Sequence, residues 1–161
     1  MSSVFVEAEV DIKRSPEDVF DFCSDPIHEA EWNLMMKRVV KLTDGPGGVG
    51  ARYASEFVGA PPMVMECIED ERPSAWSLKG DSGALTAVGD GRVVPTSQGV
   101  HLVMRMELEP RGLRKLATPL LCRRMKSMWQ RDLHNIKATL EELSARSGQS
   151  DPVVDLRSIT R

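Results

Sequence analysis

A chain of 161 residues fits one domain, and a domain of that size buries about 70% of its unfolded surface, enough for a real core. Apolar residues at 41% and charged residues at 28% argue against wholesale disorder, and a net charge of −3 argues against a nucleic-acid binder, which carries a basic excess. Glu7, Glu9 and Asp11 stand where a signal peptide needs a basic start, and no apolar run approaches the ~20 residues that cross a bilayer.

Val4, Val6, Ala8, Val10 and Ile12 alternate with polar or exposed-type neighbours, a period of two that predicts a strand with one buried face. Ser15-Pro16-Glu17-Asp18 follows as a helix start: a capping hydroxyl, a proline suited to the first turn, and acids at the positive end of the dipole. Val19, Phe20, Phe22 and Cys23 give a short amphipathic helix. Asp25-Pro26 breaks it, and residues 27–32 read as a second short helix ending at Trp32.

Six strands are expected next, over 35–43, 51–58, 63–71, 75–80, 85–94 and 99–108, divided by Gly-, Pro-, Asp- and Ser-rich turns. Their short connections imply an antiparallel meander. From Leu113 to Leu143 the apolar period changes to three and four residues, and Pro119 is expected to interrupt it, leaving a short lead-in helix and a main helix over 120–146. Residues 147–161 have little periodicity and read as a tail to a single domain over 1–146.

The expected fold is therefore α+β: a seven-stranded curved antiparallel sheet wrapped around a long C-terminal helix, with two short helices between strands 1 and 2. The first strand running into Ser15-Pro16-Glu17-Asp18-Val19-Phe20, the Asp25-Pro26 and Trp32 of the short helices, and the terminal run from Asp132 to Glu141 resemble the START-like helix-grip superfamily (SRPBCC). The resemblance is to its polyketide cyclase/dehydrase and lipid-transport group, over residues 4–146. It implies a cavity between sheet and helix that holds lipids, hormones, quinones or polyketides, with catalysis in only some members.

Trp32, Met35, Tyr53, Phe57, Met65, Trp76, Met104, Met106, Met125, Met128 and Trp129 are the candidate lining of such a cavity. Nine methionines are a high share for this length, and methionine adapts to irregular apolar ligands, although the same side chains would also fill an ordinary core. Ser55 and Glu66 are the candidate polar anchors. His28, His101 and His134 read as surface or structural groups, His28 near the expected cavity mouth and His101 on the face opposite the apolar stripe. No HExxH, Ser-His-Asp or Cys-His arrangement is recognisable in the sequence, so it identifies no catalytic residue, and no cofactor or metal is expected. Gly45-Pro46-Gly47-Gly48-Val49-Gly50 lacks the lysine of a phosphate loop and joins two strands. It reads as a hairpin connection. Cys23, Cys67 and Cys122, widely spaced among apolar neighbours, read as buried reduced thiols and point to the cytoplasm.

Residues 111–131 carry seven basic side chains and no acid, whereas residues 7–31 carry nine acids. A solvated helix face accounts for the basic run. The alternative is a basic amphipathic segment that touches anionic membrane while apolar cargo moves. The leading functional expectation is a non-catalytic carrier or binder of a lipid, isoprenoid or polyketide-like molecule. A cyclase/dehydratase (lyase-type) enzyme using the same cavity is the alternative, and a partner-binding module the third. The sequence does not specify the oligomeric state.

Overall fold

The alternating N-terminal run forms β1 (Val4–Ile12), with Val4, Val6, Ala8 and Ile12 buried, Val10 half-buried on the same face, and Phe5, Glu7, Glu9 and Asp11 turned outward. The computed structural model describes residues 3–112 and 118–148. Ser15 caps α1 (Pro16–Ser24), its hydroxyl accepting from the Asp18 N–H at 3.2 Å, and Asp25 caps α2 (Pro26–Trp32), accepting from the Ile27 N–H at 3.0 Å. Both helices open on proline, where a missing N–H costs nothing.

Six more strands follow: β2 (Met36–Lys41), β3 (Arg52–Phe57), β4 (Met63–Glu71), β5 (Ala75–Asp81), β6 (Leu85–Thr96) and β7 (Gly99–Pro110). They form one antiparallel sheet in the order β1-β7-β6-β5-β4-β3-β2, so β1 crosses back to pair with the last strand. The expected architecture is the one observed, with strand limits moved by at most two residues.

Helix α3 (Thr118–Gly148) turns Trp129, Leu133, Ile136 and Leu140 inward along one stripe and packs chiefly along β1. Its polar side chains also serve the open edge of that strand. Gln130 Nε2 donates to the Glu9 carbonyl at 3.3 Å, Lys137 Nζ to the Asp11 carbonyl at 2.6 Å, and the Lys13 N–H donates to Glu141 Oε1 at 3.0 Å. These contacts occupy edge groups that would otherwise be open to strand pairing.

Pro119 falls on the second residue of α3, so the main helix begins within two residues of the expected start, at a position where proline fits. The lead-in helix was expected on residues that lie largely outside the described ones, as does the tail beyond Gly148. Among the described residues, no helix is long and apolar enough to cross a membrane.

Candidate functional site

The inner face of the sheet carries two apolar clusters. The larger joins β1, β5, β6 and β7 to all three helices and includes Trp32, Trp76, Met104, Trp129, Leu133 and Ile136. The smaller lines the other half of the sheet with Met36, Ala51, Tyr53, Met63 and Met65. Leu85 and Ala87 of β6 touch both clusters and are themselves only partly buried.

Glycines shape the floor between the two clusters. A Cβ on Gly91 would lie 2.1 Å from the Trp76 indole, so the ring covers that glycine, held edge-on by Phe20 at 5.6 Å between centroids. A Cβ on Gly80 would lie 2.6 Å from Met63 Sδ, so that side chain spans the neighbouring strand. Gly89 differs: a Cβ there would meet nothing closer than the Arg105 carbonyl at 4.0 Å. Its cross-strand neighbours Leu78 and Met106 are half-buried, as are Phe57, Leu85, Ala87, Met125 and Met128. Among the described residues, these partly uncovered apolar side chains surround Gly89 on the concave side, where a Cβ would have room.

Among the described residues, two buried side-chain polar atoms have no hydrogen-bond partner: Trp32 Nε1 and Ser55 Oγ. Ser55 lies on the inner face of β3, opposite Val39 on one side and Met63 on the other, and is 1% exposed. Trp32 ends α2, the helix that packs against both β2 and α3. An unpaired buried donor costs about 1–3 kcal/mol.

A buried polar seam joins α2 to α3. Asn33 Nδ2 donates to Glu29 Oε1 at 2.6 Å, the Met35 N–H donates to Asn33 Oδ1 at 2.9 Å, and Asn135 Nδ2 donates to the Trp32 carbonyl at 3.1 Å. Asp132 on α3 accepts the Leu34 backbone N–H. Removal from water pushes the Glu29 carboxyl up to about 7, against the Asn33 hydrogen bond and with help from the nearby Asp132 charge. Burial likewise raises Asp132 to about 6. The sequence reading missed both acids as site candidates. The available signal was the three-residue spacing of Pro26, Glu29 and Trp32, which form the buried stripe of α2.

Among the expected lining residues, Trp32, Trp76, Met104 and Trp129 lie in the larger cluster with Met106 and Met125 packed against it, while Tyr53 and Met65 lie in the smaller one beside Phe57. Trp129 is tied down, donating from Nε1 to the Met104 carbonyl at 3.2 Å. Tyr53 points its hydroxyl toward the glycine-rich hairpin, within 3.5 Å of where a Cβ of Gly47 would sit, and burial raises its phenol to about 12.

Two placements differ from expectation. Met35 is half-buried in the α2–β2 connection and the cluster position belongs to Met36, because a register shift between Met36 and Arg38 offsets the start of β2. Glu66 is exposed between the buried Met65 and Cys67, so strand alternation puts it on the outer face.

His28 stacks on Phe22 and meets Glu31, His101 sits on the outer face with Asp11 at 2.7 Å, and His134 bonds the Gln130 carbonyl. Cys23 and Cys67 are buried free thiols, both raised by desolvation first, whereas Cys122 is only half-buried. Among the described residues, no three His, Cys, Asp or Glu side chains converge as metal ligands would.

A family model described as polyketide cyclase / dehydrase and lipid transport matches residues 3–141, and the chain belongs to that family. No curated protein matches it in sequence. Solved structures share the fold at low identity. The two-domain aromatase/cyclase StfQ of the steffimycin biosynthetic pathway aligns with a TM-score of 0.72 at 16% identity, over 89% of this chain and 52% of that one. Norcoclaurine synthase of Thalictrum flavum, solved as a point mutant with a transition-state analogue, gives 0.65 at 15% identity over 89% and 97%. A Staphylococcus aureus protein of unknown function gives 0.69 at 13% identity over 89% and 97%.

Proposed function

We propose that this member of the polyketide cyclase / dehydrase and lipid transport family binds or carries an apolar or amphipathic small molecule, of lipid, isoprenoid or polyketide kind, in a hollow between the sheet and α3. The observation that supports the reading is the divided core: among the described residues, the partly buried Leu85 and Ala87 pack against both apolar clusters, beside Gly89, where a Cβ would meet nothing closer than the Arg105 carbonyl at 4.0 Å. Burial of ligand surface there supplies about 25 cal/mol per Å², before the costs of ordering, which suits holding a greasy molecule. Native mass spectrometry of the chain equilibrated with a cell lipid extract tests it. A retained small-molecule adduct, released on denaturation, is expected, and a bare protein mass throughout would sink the reading.

The cyclase/dehydratase alternative gains support from one feature. Glu29, ionising near neutrality, has the proton affinity that general acid–base work needs. It ranks second because the carboxyl already accepts from Asn33 within the α2–α3 seam.

The proposal extends to a transient membrane contact through the start of α3, where Leu120, Arg123 and Arg124 are exposed at helical spacing. Arg111 is not available for it, being paired with Asp81 at 2.9 Å and bonded to Thr86. Flotation with anionic vesicles at low salt should recruit the protein, and failure to do so removes this part. Reduced thiols at Cys23 and Cys67 are in keeping with a cytoplasmic setting.

A further inference from the structure

The two edges of the sheet are finished differently. Along β1, side chains of α3 occupy the free backbone groups, through Gln130, Lys137 and Glu141. At the other end of the strand order lies β2, and among the described residues the backbone of 37–41 bonds to β3 alone. The Leu42 N–H donates to the Arg52 carbonyl at 2.8 Å. In an antiparallel ladder Leu42 and Val40 therefore face β3, and Val39 and Lys41 turn N–H and C=O to the open side.

The charge along this edge has one sign. β2 reads Met-Lys-Arg-Val-Val-Lys, with no acid. Elsewhere on the sheet Arg92 and Arg105 each pair with a carboxylate, as do Arg72 and Arg111 at strand ends. Among the described residues Lys37, Arg38 and Lys41 do not, although Glu56 stands opposite Arg38 in the register, and Lys41 bonds to the Gly45 carbonyl instead. On the outer face Val40, Ala54 and Val64 form an apolar row across β2, β3 and β4 that runs out to the same edge, with Val40 and Val64 exposed. Lysine on an edge strand opposes pairing between like copies, since two β2 strands side by side would gather only cations along their seam. An acidic strand meets the opposite condition.

We propose that β2 is a docking edge for an extended acidic segment of a partner protein, which adds to the sheet as a further antiparallel strand. Val39 and Lys41 supply the backbone hydrogen bonds, and the register sets the pattern that is recognised. Carboxylates stand opposite Lys41 and Arg38, and apolar side chains opposite Val40 and Val39. Read from the partner's N-terminus, the pattern is acid, apolar, apolar, acid. Docking at this edge does not depend on the small-molecule reading above.

The test is a nuclear magnetic resonance titration of the isotope-labelled full chain with the end-blocked peptide Ser-Thr-Glu-Val-Val-Asp-Thr-Ser, and with a twin in which lysine replaces both acids. At low salt the acidic peptide should shift the amide signals of 37–42 and of β3 saturably and slow hydrogen exchange at Val39 and Lys41. The lysine twin should bind at least about tenfold more weakly, and added salt should weaken the acidic peptide by screening. The double variant Arg38→Gln/Lys41→Gln should weaken it by about three- to tenfold, the worth of two exposed charge pairs. Val39→Pro removes an outward N–H that β3 does not use and should abolish binding. If that variant unfolds, the double glutamine variant decides the matter. Equal binding of the two peptides, shifts that map away from β2, or no shift with the acidic peptide overturns the proposal. So does a concentration-dependent shift of the β2 amides without peptide, which makes a second copy the occupant.

Discussion

Replacing Glu29 by glutamine keeps an oxygen for the Asn33 amide to donate to while removing the charge, so its effect on stability should depend on pH in a calculable way. The Glu29 carboxyl ionises at about 7 in the fold and at 4.5 in the open chain. Well below pH 4.5 both states hold the proton and the residue costs little, and at pH 4.5 the loss has only begun. As the pH rises toward 7 the unfolded chain releases its proton first, so stability falls through that window and the loss is complete above it. At about 1.4 kcal/mol per pH unit, the gap corresponds to about 3 kcal/mol, an order-of-magnitude figure for a buried acid whose ionisation is opposed by desolvation and the Asp132 charge. Asp132 adds a loss of the same sign between pH 3.8 and about 6. Urea unfolding followed by circular dichroism at pH 4.5, 6 and 8 reads the effect. Glu29→Gln should match the wild type at pH 4.5 and exceed it by about 2–3 kcal/mol at pH 8. His101, raised chiefly by its hydrogen bond to Asp11, also loses stabilisation as pH rises, but it is common to both proteins and cancels in the difference. A variant-to-wild-type difference that stays constant across pH would refute the account of the α2–α3 seam.

Three further outcomes follow from packing. Gly91→Ala should cost more than 2 kcal/mol, about the upper range of overpacking, because its methyl would enter the Trp76 ring, and near-ultraviolet circular dichroism should report the displaced indole. Gly89→Ala, where a Cβ has room, should stay within about 1 kcal/mol of wild type in the same melts. Ile136→Ala removes a fully buried side chain at the centre of the α3 stripe and should cost about 3 kcal/mol in urea unfolding.

Much of the fold was legible because its signals are local. The alternation in β1 and β7, the capped proline starts of α1 and α2, and the helical stripe through Leu133, Ile136 and Leu140 each carry their own period. The site was less legible because it depends on which elements meet. Met35 and Met36 differ by one residue, and only the register shift in β2 decides which joins the inner cluster. Glu66 was readable in principle: Met63, Met65 and Cys67 alternate around it and fix it outside. Glu29 and Asp132 belong to unrelated stretches of sequence that come together only when α2 packs on α3. The surroundings of Gly89 are likewise invisible to periodicity, since an uncrowded glycine and one that is covered, such as Gly91, look identical in a sequence.

Filling the hollow tests the central claim most directly. Ala87 bridges the two apolar clusters and is itself partly buried, so Ala87→Trp should occupy the space a ligand needs. Titration of wild type and variant with N-phenyl-1-naphthylamine, alongside their unfolding curves, separates loss of space from loss of fold. The expected result is saturable probe fluorescence with the wild type and at least tenfold weaker binding by a variant that still unfolds cooperatively. Unchanged probe affinity in a folded Ala87→Trp protein would contradict the placement of the binding hollow between the sheet and α3.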